Sequence, residues 1–562
     1  MLTPFRVFLF MLSLILLSIN SIAQSPDFFR QQAITLKRVI ERNHYEPRPV
    51  NDSFSFHLFD NFIKRLDPDE LLSRQHLTSI EPFRYQLDEE LNNQKIWKFL
   101  PLITEIYERD LKSADSALAK KSTAALSPIQ KKEINKARRN IKTILNHPSG
   151  YANYIASVFC DVLANLFDPH TEYMPLQEKQ QFDKELGTEG YYFGLSVDED
   201  QNGDLEIDRL MPGSPAWKCG ELNKGDVLLS LAWHGRDTID LTGANRFELS
   251  ELLEGPIDQT MYLTIRKADG IRKTIPLIKE KMRNESNEVK SMVVNEEPKI
   301  GYLYLPDFYI GERGAAGSCA GDVAREIIKL KASGISGLIL DLRYNGGGSL
   351  MEALDMAGIF INEGPLGIIK ERNDKPVTLK DMSRGTIYDG PLTVLVNSQS
   401  ASASELLAAV LQDYNRAVII GSATFGKGTA QVVLPVDTIL SNRNNPEFGF
   451  IKVTTSKFYR VKGTTTQYSG VIPDIILPDL FDNIVYHEYA LPDALLPDTI
   501  PANKYYKPLA ALPIADLLLK SKNRIAANGK FSNVNELKAE DDIYVSEAAS
   551  VLKDLINSQN IK

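Results

Sequence analysis

A serine-rich turn and a glycine-framed lysine carry the sharpest chemistry in this chain. Ser400-Ala401-Ser402-Ala403-Ser404 follows an apolar run, and Lys427 lies further on in Thr424-Phe425-Gly426-Lys427-Gly428. A serine hydroxyl is almost wholly protonated at neutral pH and attacks a carbonyl only when a base takes its proton. The histidines are His44, His57, His76, His147, His170, His234 and His487, and none falls between Gly235 and Tyr486. That leaves Lys427 as the local base, with Val418, Ile419, Ile420 and Phe425 as apolar company. An amine serves as a base only if burial brings its pKa down from about 10.4 toward neutrality. Gln431, four residues on, can bond the amine and orient it. The same residues also fit a helix N-cap with spare serines and a surface lysine in a tight turn.

Gly346-Gly347-Gly348 closes a second apolar run. Bare backbone there can turn N–H groups toward a substrate carbonyl, completing an oxyanion hole with the N–H groups at the start of the helix after the serines. The Lys-Ser/Thr ending of a phosphate loop is missing. So is the G-x-S-x-G elbow of α/β-hydrolases.

The elements that must position these groups alternate. Strands are expected at Ile300–Leu305, Gly337–Leu342, Leu392–Val396 and Ala417–Gly421. Helices are expected near Asp322–Lys331, Leu350–Phe360 and Ser404–Asp413. That order predicts a layered α/β domain with parallel strands. Upstream, Gln24–Pro175 is helical in pattern, with apolar three- and four-residue steps over Phe28–His44 and Asp52–Leu66. The basic cluster Lys131, Lys132, Lys136, Arg138 and Arg139 reads as a solvated helix face. Phe182–Lys279 shows short alternating strands with turn signals, Asn284–Lys299 a linker or exposed hairpin, and the end of the chain further helices.

At 562 residues the chain exceeds a single core and predicts several domains. Its net charge of −9 argues against nucleic acid as a partner. Arg6, the apolar Val7–Ile19 and the small residues ending at Ala23 predict an export signal, too short for a span of roughly 20 residues. No stable membrane span is expected after its removal. Cys160, Cys219 and Cys319 form neither a disulfide framework nor a metal motif.

SASASE…QDY…TFGKGTAQ, with DLRYNGGG upstream and FYRVKGTTTQYSGVIPDIILP downstream, resembles the S41 peptidases, closest to the C-terminal processing, tail-specific proteases. Asp168-Pro169-His170-Thr171-Glu172-Tyr173 resembles the junction before the family's PDZ module, and NDSFSFHLFDNFIKRLDP the N-terminal helical domain of its long branch. The resemblance implies a multidomain α+β chain. Its parts are a signal peptide (1–23), an all-α N-terminal domain (24–175), a PDZ domain (180–282), a crotonase/ClpP-like α/β serine peptidase core (298–480) and a C-terminal helical segment (481–562). It implies Ser402 as nucleophile, Lys427 as base and Gln431 as its assistant. Ala403 and Gly347 would supply the oxyanion N–H groups, with Gly348, Glu405 and Thr424 in support and Asp413 in a structural role. Tyr192, Phe193, Gly194 and Leu195 would hold a peptide carboxylate, with Tyr192 departing from the family's usual glycine. The implied protein is a cofactor-free, metal-free periplasmic endopeptidase acting on proteins with apolar C-termini, with or without an adaptor protein. A tail-binding scaffold without catalysis and an acyl-transfer or hydratase relative are the rival readings.

Overall fold

The computed structural model describes residues 26–560 except 94–95, 121–126, 148, 177, 180–181, 183–188, 201–203, 284–287, 311–316, 382–384, 438–446, 480–485 and 533–541. The export-signal expectation at 1–23 lies outside the described residues. Among those described, no helix is long and apolar enough to cross a membrane.

Among the described residues, seven α-helices come first: α1 (Pro26–Asn43), α2 (Asp52–Leu66), α3 (Arg74–Ile80), α4 (Leu87–Asn92), α5 (Phe99–Lys120), α6 (Pro128–Leu145) and α7 (Tyr151–Asn165). Their starts are written in the sequence. Asn51 caps α2 by accepting from Phe54 N–H, and Ser127 and Gln130 form a capping box at α6. Their apolar faces meet in a core rich in aromatic rings, including Phe59, Phe62, Phe99 and Phe159. That core does not end with the helices. It continues through Tyr173 of β1 (Glu172–Met174) to Ile451 and Val453, far downstream.

A module of short strands follows. β2 (Glu189–Tyr192) and β9 (Glu280–Arg283) pair at its entry and exit. Between them, β3 (Leu195–Glu199), β4 (Leu205–Leu210), β5 (Val227–Trp233), β7 (Met261–Arg266) and β8 (Arg272–Leu277) form an antiparallel sheet in that order, with β6 (Ile239–Asp240) beside β5. Two helices, α8 (Pro215–Lys218) and α9 (Arg246–Leu253), pack on it. Here one expectation fails in part. Arg139 on α6 is only 4% exposed and donates to Glu248 of α9 and to the carbonyl oxygens of Asp240 and Thr242. Lys136 also pairs with Glu248. Arg139 and Lys136 therefore clamp α6 to the strand module, a long-range pairing that composition does not reveal, while Lys131 is exposed as expected and Arg138 pairs with Asp115 of α5.

The remainder is α/β. β10 (Lys290–Glu296) and β11 (Lys299–Tyr304) form the hairpin, one of the two readings expected there, and it edges a six-stranded sheet. The order continues β12 (Gly337–Asp341), β15 (Leu392–Val396), β16 (Val418–Gly421) and β19 (Ile475–Ile476), all parallel. Three crossover helices, α10 (Cys319–Ala332), α11 (Leu350–Phe360) and α12 (Ala403–Asp413), join its sequential strands. Sequential order with right-handed crossovers puts all of them on one face, where they bury Leu338, Leu340, Val394 and Ile419. The opposite face, with Ile339, Leu395, Val418 and Ile420, must be covered by something else. α13 (Ile514–Ala527) and α14 (Ile543–Asn560) cover it through Leu517, Val551 and Leu552. A second sheet of β1, β13 (Pro365–Glu371), β14 (Val377–Lys380), β17 (Thr429–Pro435) and β18 (Phe450–Tyr459) stands beside it. The active-site candidates lie where the two sheets meet.

Candidate active site

Ser402 ends the connection from β15 to α12 with φ 54° and ψ −109°. A non-glycine residue in so sparsely populated a region costs on the order of 1–3 kcal/mol and persists only if its surroundings enforce it. They do. Ser400 Oγ donates to Leu342 O (2.8 Å) and Ser404 Oγ to Asn345 O (2.9 Å), tying the turn to the glycine loop on both sides. The flanking Ala401 and Ala403 are small and buried. The strained serine turn is thus present although the usual glycines are not.

One carboxylate joins the serine turn to the lysine loop. Glu405, fully buried in the first turn of α12, accepts from Ser402 N (2.7 Å) and Lys427 N (2.9 Å) on Oε2. On Oε1 it accepts from Thr424 Oγ1 (2.6 Å) and Gly426 N (2.7 Å). Burial pushes its pKa up to about 7, with those four donors opposing the rise. Thr424 in turn accepts from Val471 N (2.7 Å), so the loop is held from a third segment.

The side chain of Lys427 points along β17 and donates to Gln431 Oε1 (2.8 Å). Burial lowers its pKa to about 8. The nearby Lys452 pushes the same way, while Glu488, Glu172 and Asp168 oppose it. At pH 7 about one such lysine in ten is neutral, against fewer than about one in a thousand for a solvated one. Gln431 Nε2 donates to Thr429 Oγ1 (3.0 Å) and Thr454 Oγ1 (3.0 Å), which fixes the amide.

The glycine loop lies against the serine. A Cβ on Gly347, whose φ is +112°, would stand 2.9 Å from Ser402 Cβ, 3.0 Å from Ala401 O and 3.2 Å from Ala403 N. Only glycine permits that approach. In this structure Gly347 N–H donates to Asn345 Oδ1 (2.9 Å), so it is turned into its own loop. A Cβ on Gly348 would meet Phe308 O at 2.5 Å, so this glycine serves close packing.

A buried, strained serine turn sharing one carboxylate with a lysine of lowered pKa is the equipment for acyl transfer without histidine. The sequence matches the Peptidase family S41 profile over residues 299–477 and the Tail specific protease N-terminal domain profile over residues 36–122. The chain belongs to peptidase family S41. It is a serine peptidase of the C-terminal processing, tail-specific kind. It is 29% identical to a "Tail-specific protease" of Haemophilus influenzae over 92% of this chain and 80% of that protein. It is 30% identical to a "Carboxy-terminal-processing protease" of Bartonella bacilliformis over 55% of this chain and 66% of that one. Among solved structures, a photosystem II D1 C-terminal processing protease aligns with TM-score 0.35 at 23% identity, covering 66% of this chain and 92% of that one.

Two groups of candidate residues lie apart from the Ser402–Lys427 cluster. Asp413 ends α12, an 11-residue helix whose other end carries the serine, a separation of about 16 Å. It is buried and paired with Arg460 (2.7 Å) and Lys462 (3.1 Å), a structural ion cluster. The loop Tyr192–Leu195 belongs to the strand module. Phe193 is buried, Gly194 has φ +74°, and a Cβ there would meet Ser214 Cβ at 2.1 Å. The carbonyl oxygens of Phe193 and Gly194 accept from Ala216 N and Met211 N, leaving the loop rigidly seated on the 211–216 turn.

Sequence reasoning passed over Thr454, His44, Asp168, Gln467 and Glu488. Gly428 N donates to Gln467 Oε1 (2.7 Å), Gln467 Nε2 to Glu488 Oε1 (2.9 Å), and His170 Nε2 bonds Glu488 Oε2 (2.7 Å). The DPHTEY stretch drew notice as a junction, yet its side chains stand behind the lysine loop. Polar residues in a stretch otherwise destined for the core were the available signal.

Proposed function

We propose that Ser402 attacks the scissile carbonyl of a polypeptide while neutral Lys427 takes its proton and returns it to the leaving amine. Gln431 holds the amine. Ala403 N–H stabilises the tetrahedral oxyanion, joined by Gly347 N–H when it leaves Asn345 Oδ1. The observation that carries this reading is the lysine itself: partly buried, lowered to about 8, and hinged to the serine through Glu405. A lysine kept only for solubility gains nothing from such a setting.

The strand module is the PDZ domain of this reading. Among the described residues, β3 is an edge strand of its sheet, with α9 alongside. A peptide C-terminus adds to such an edge as an extra strand, its carboxylate held by backbone N–H groups of Tyr192–Leu195. The selected tails are apolar, the α/β core is of the crotonase/ClpP-like kind, and the substrates are exported proteins met in the periplasm, with an adaptor as an optional partner.

The test is cleavage of an unstructured reporter ending in a short apolar tail, beside one ending in a charged tail. Wild type should cut the apolar-tailed reporter faster, and Ser402→Ala should cut neither. Equal rates on both tails would remove tail selection, and cleavage by Ser402→Ala would remove the nucleophile.

A further inference from the structure

Behind Gln431 runs a chain of buried hydrogen bonds that ends in the helical region. Thr454 Oγ1, on β18, donates to Asp168 Oδ1 (3.0 Å). Asp168, 1% exposed, also accepts from Thr171 Oγ1 (2.5 Å) and His170 N (2.9 Å), and its Oδ2 lies 2.6 Å from His44 Nε2. Glu46 N–H donates to the other ring nitrogen, His44 Nδ1 (3.1 Å). With Nδ1 accepting, the ring proton sits on Nε2 and points at Asp168. Burial acts to raise the Asp168 pKa, but the His44 hydrogen bond and the attraction of its ring, with the bonds from Thr171 and His170, outweigh that and hold it at about 2. The pair is thus a ring N–H donating to a carboxylate.

This chain has a direction. A carboxylate can only accept, so the Thr454 hydroxyl proton must face Asp168. Thr454 Oγ1 is then left as an acceptor toward the protein interior, and it takes Gln431 Nε2–H. An amide with its nitrogen fixed toward Thr454 and Thr429 must turn its oxygen to Lys427 Nζ. Reversing any link would present an N–H to the amine, which the protonated lysine cannot bond and which would tie up the lone pair of the neutral one.

We propose that His44 and Asp168 are positioning residues for the catalytic lysine, fixing the Gln431 amide through Thr454. This rests on Ser402 and Lys427 being nucleophile and base. It gives the helical region a part in catalysis. His44 follows α1, Asp168 follows α7, and both reach the lysine only because β1 and β18 join the helical core to the second sheet. The base is complete only when that joint is closed.

The groups facing this chain set its pH behaviour. Lys427 faces Lys452, Glu488, Glu172 and Asp168. Asp168 faces His44, and Glu488 faces His170. Removing the Asp168 charge removes one influence that holds the lysine pKa up. Removing the Thr454 hydroxyl changes no charge.

The experiment measures kcat, KM and the pH profile of the full chain on an unstructured protein substrate for Thr454→Val, Thr454→Ser, Asp168→Asn, His44→Gln and His44→Leu. Ser402→Ala, Lys427→Ala and thermal melts serve as controls. Thr454→Val keeps the shape and should lower kcat about tenfold or more, with KM within about twofold and the acid limb unmoved. Thr454→Ser should restore most of the loss. Asp168→Asn should lower kcat and move the acid limb to lower pH. His44→Gln, which keeps a donor, should outperform His44→Leu. A Thr454→Val enzyme within about twofold of wild type would overturn the proposal. So would equal losses in Thr454→Ser and Thr454→Val that track their melting temperatures. Activity surviving in Ser402→Ala or Lys427→Ala would instead overturn the catalytic reading beneath it.

Discussion

The proposed nucleophile and the proposed base are supported in opposite ways. Around Ser402 most of the support comes from one end of the six-stranded sheet: Leu342, Asn345, Ser400, Ser404 and Glu405 in the first turn of α12. Around Lys427 the supports come from residues scattered over the chain, among them His44, Asp168, Thr454, Gln467 and Glu488. A serine turn can be built within one α/β unit because a strained backbone needs only close, small neighbours. A lysine base needs a dry pocket with directed acceptors, and one unit cannot close it. The serine half of the site is local, and the lysine half depends on how the helical region is docked.

This contrast explains what was legible in the sequence. The strand and helix alternation from Ile300 onward, the serine turn and the Lys427–Gln431 pair are legible in local spacing, although the bonds that hold the turn to Leu342 and Asn345 span 58 and 59 positions. The strain at Ser402 was missed because alanines rather than glycines flank it. The clamp of Arg139 on Glu248 and the Asp168–Thr454 link were missed because they pair residues more than a hundred positions apart. No local pattern encodes such partners. The covering of the second sheet face by α13 and α14 was also hidden, although one-sided crossovers require some cover.

Substitutions at the two halves should separate them. The largest effect is expected from Ser402→Ala and Lys427→Arg, each reducing turnover to background. Arginine keeps its charge at any accessible pH and cannot act as a base. Peptide hydrolysis by either variant at a rate near wild type would break the division into nucleophile and base. Glu405→Ala should come next, because it strips the acceptor from Ser402 N–H, Gly426 N–H, Lys427 N–H and the Thr424 hydroxyl at once. Each bare donor costs about 1–3 kcal/mol. A lowered melting temperature with turnover down about 100-fold is expected, and an unchanged melt would show that the two halves are not joined through Glu405.

Gly347→Ala sharpens the serine half alone. Its added methyl meets Ser402 Cβ and Ala401 O at 2.9 and 3.0 Å on a backbone with φ +112°. Displacing the serine by even about 1 Å can cost about 100-fold in rate, so kcat should fall while the lysine pKa seen in the pH profile stays put. The smallest effect is expected from Arg139→Ala. It leaves Lys136 on Glu248 but frees the carbonyl oxygens of Asp240 and Thr242. Turnover of short untailed peptides should stay within about twofold, while limited proteolysis should nick the strand module faster. Equal proteolytic resistance would mean that the clamp holds nothing.

The central claim is that a lysine of lowered pKa, not a histidine, is the base. The pH dependence of kcat/KM on an unstructured peptide, followed from about pH 5.5 to 9.5, tests it most directly. A neutral base is needed, so the rate should climb about tenfold per pH unit on the acid side and level off above an apparent pKa near 8, where burial places Lys427. A limb centred near 6.5, the ordinary value for histidine, would contradict the account, and so would a rate that does not change across this range.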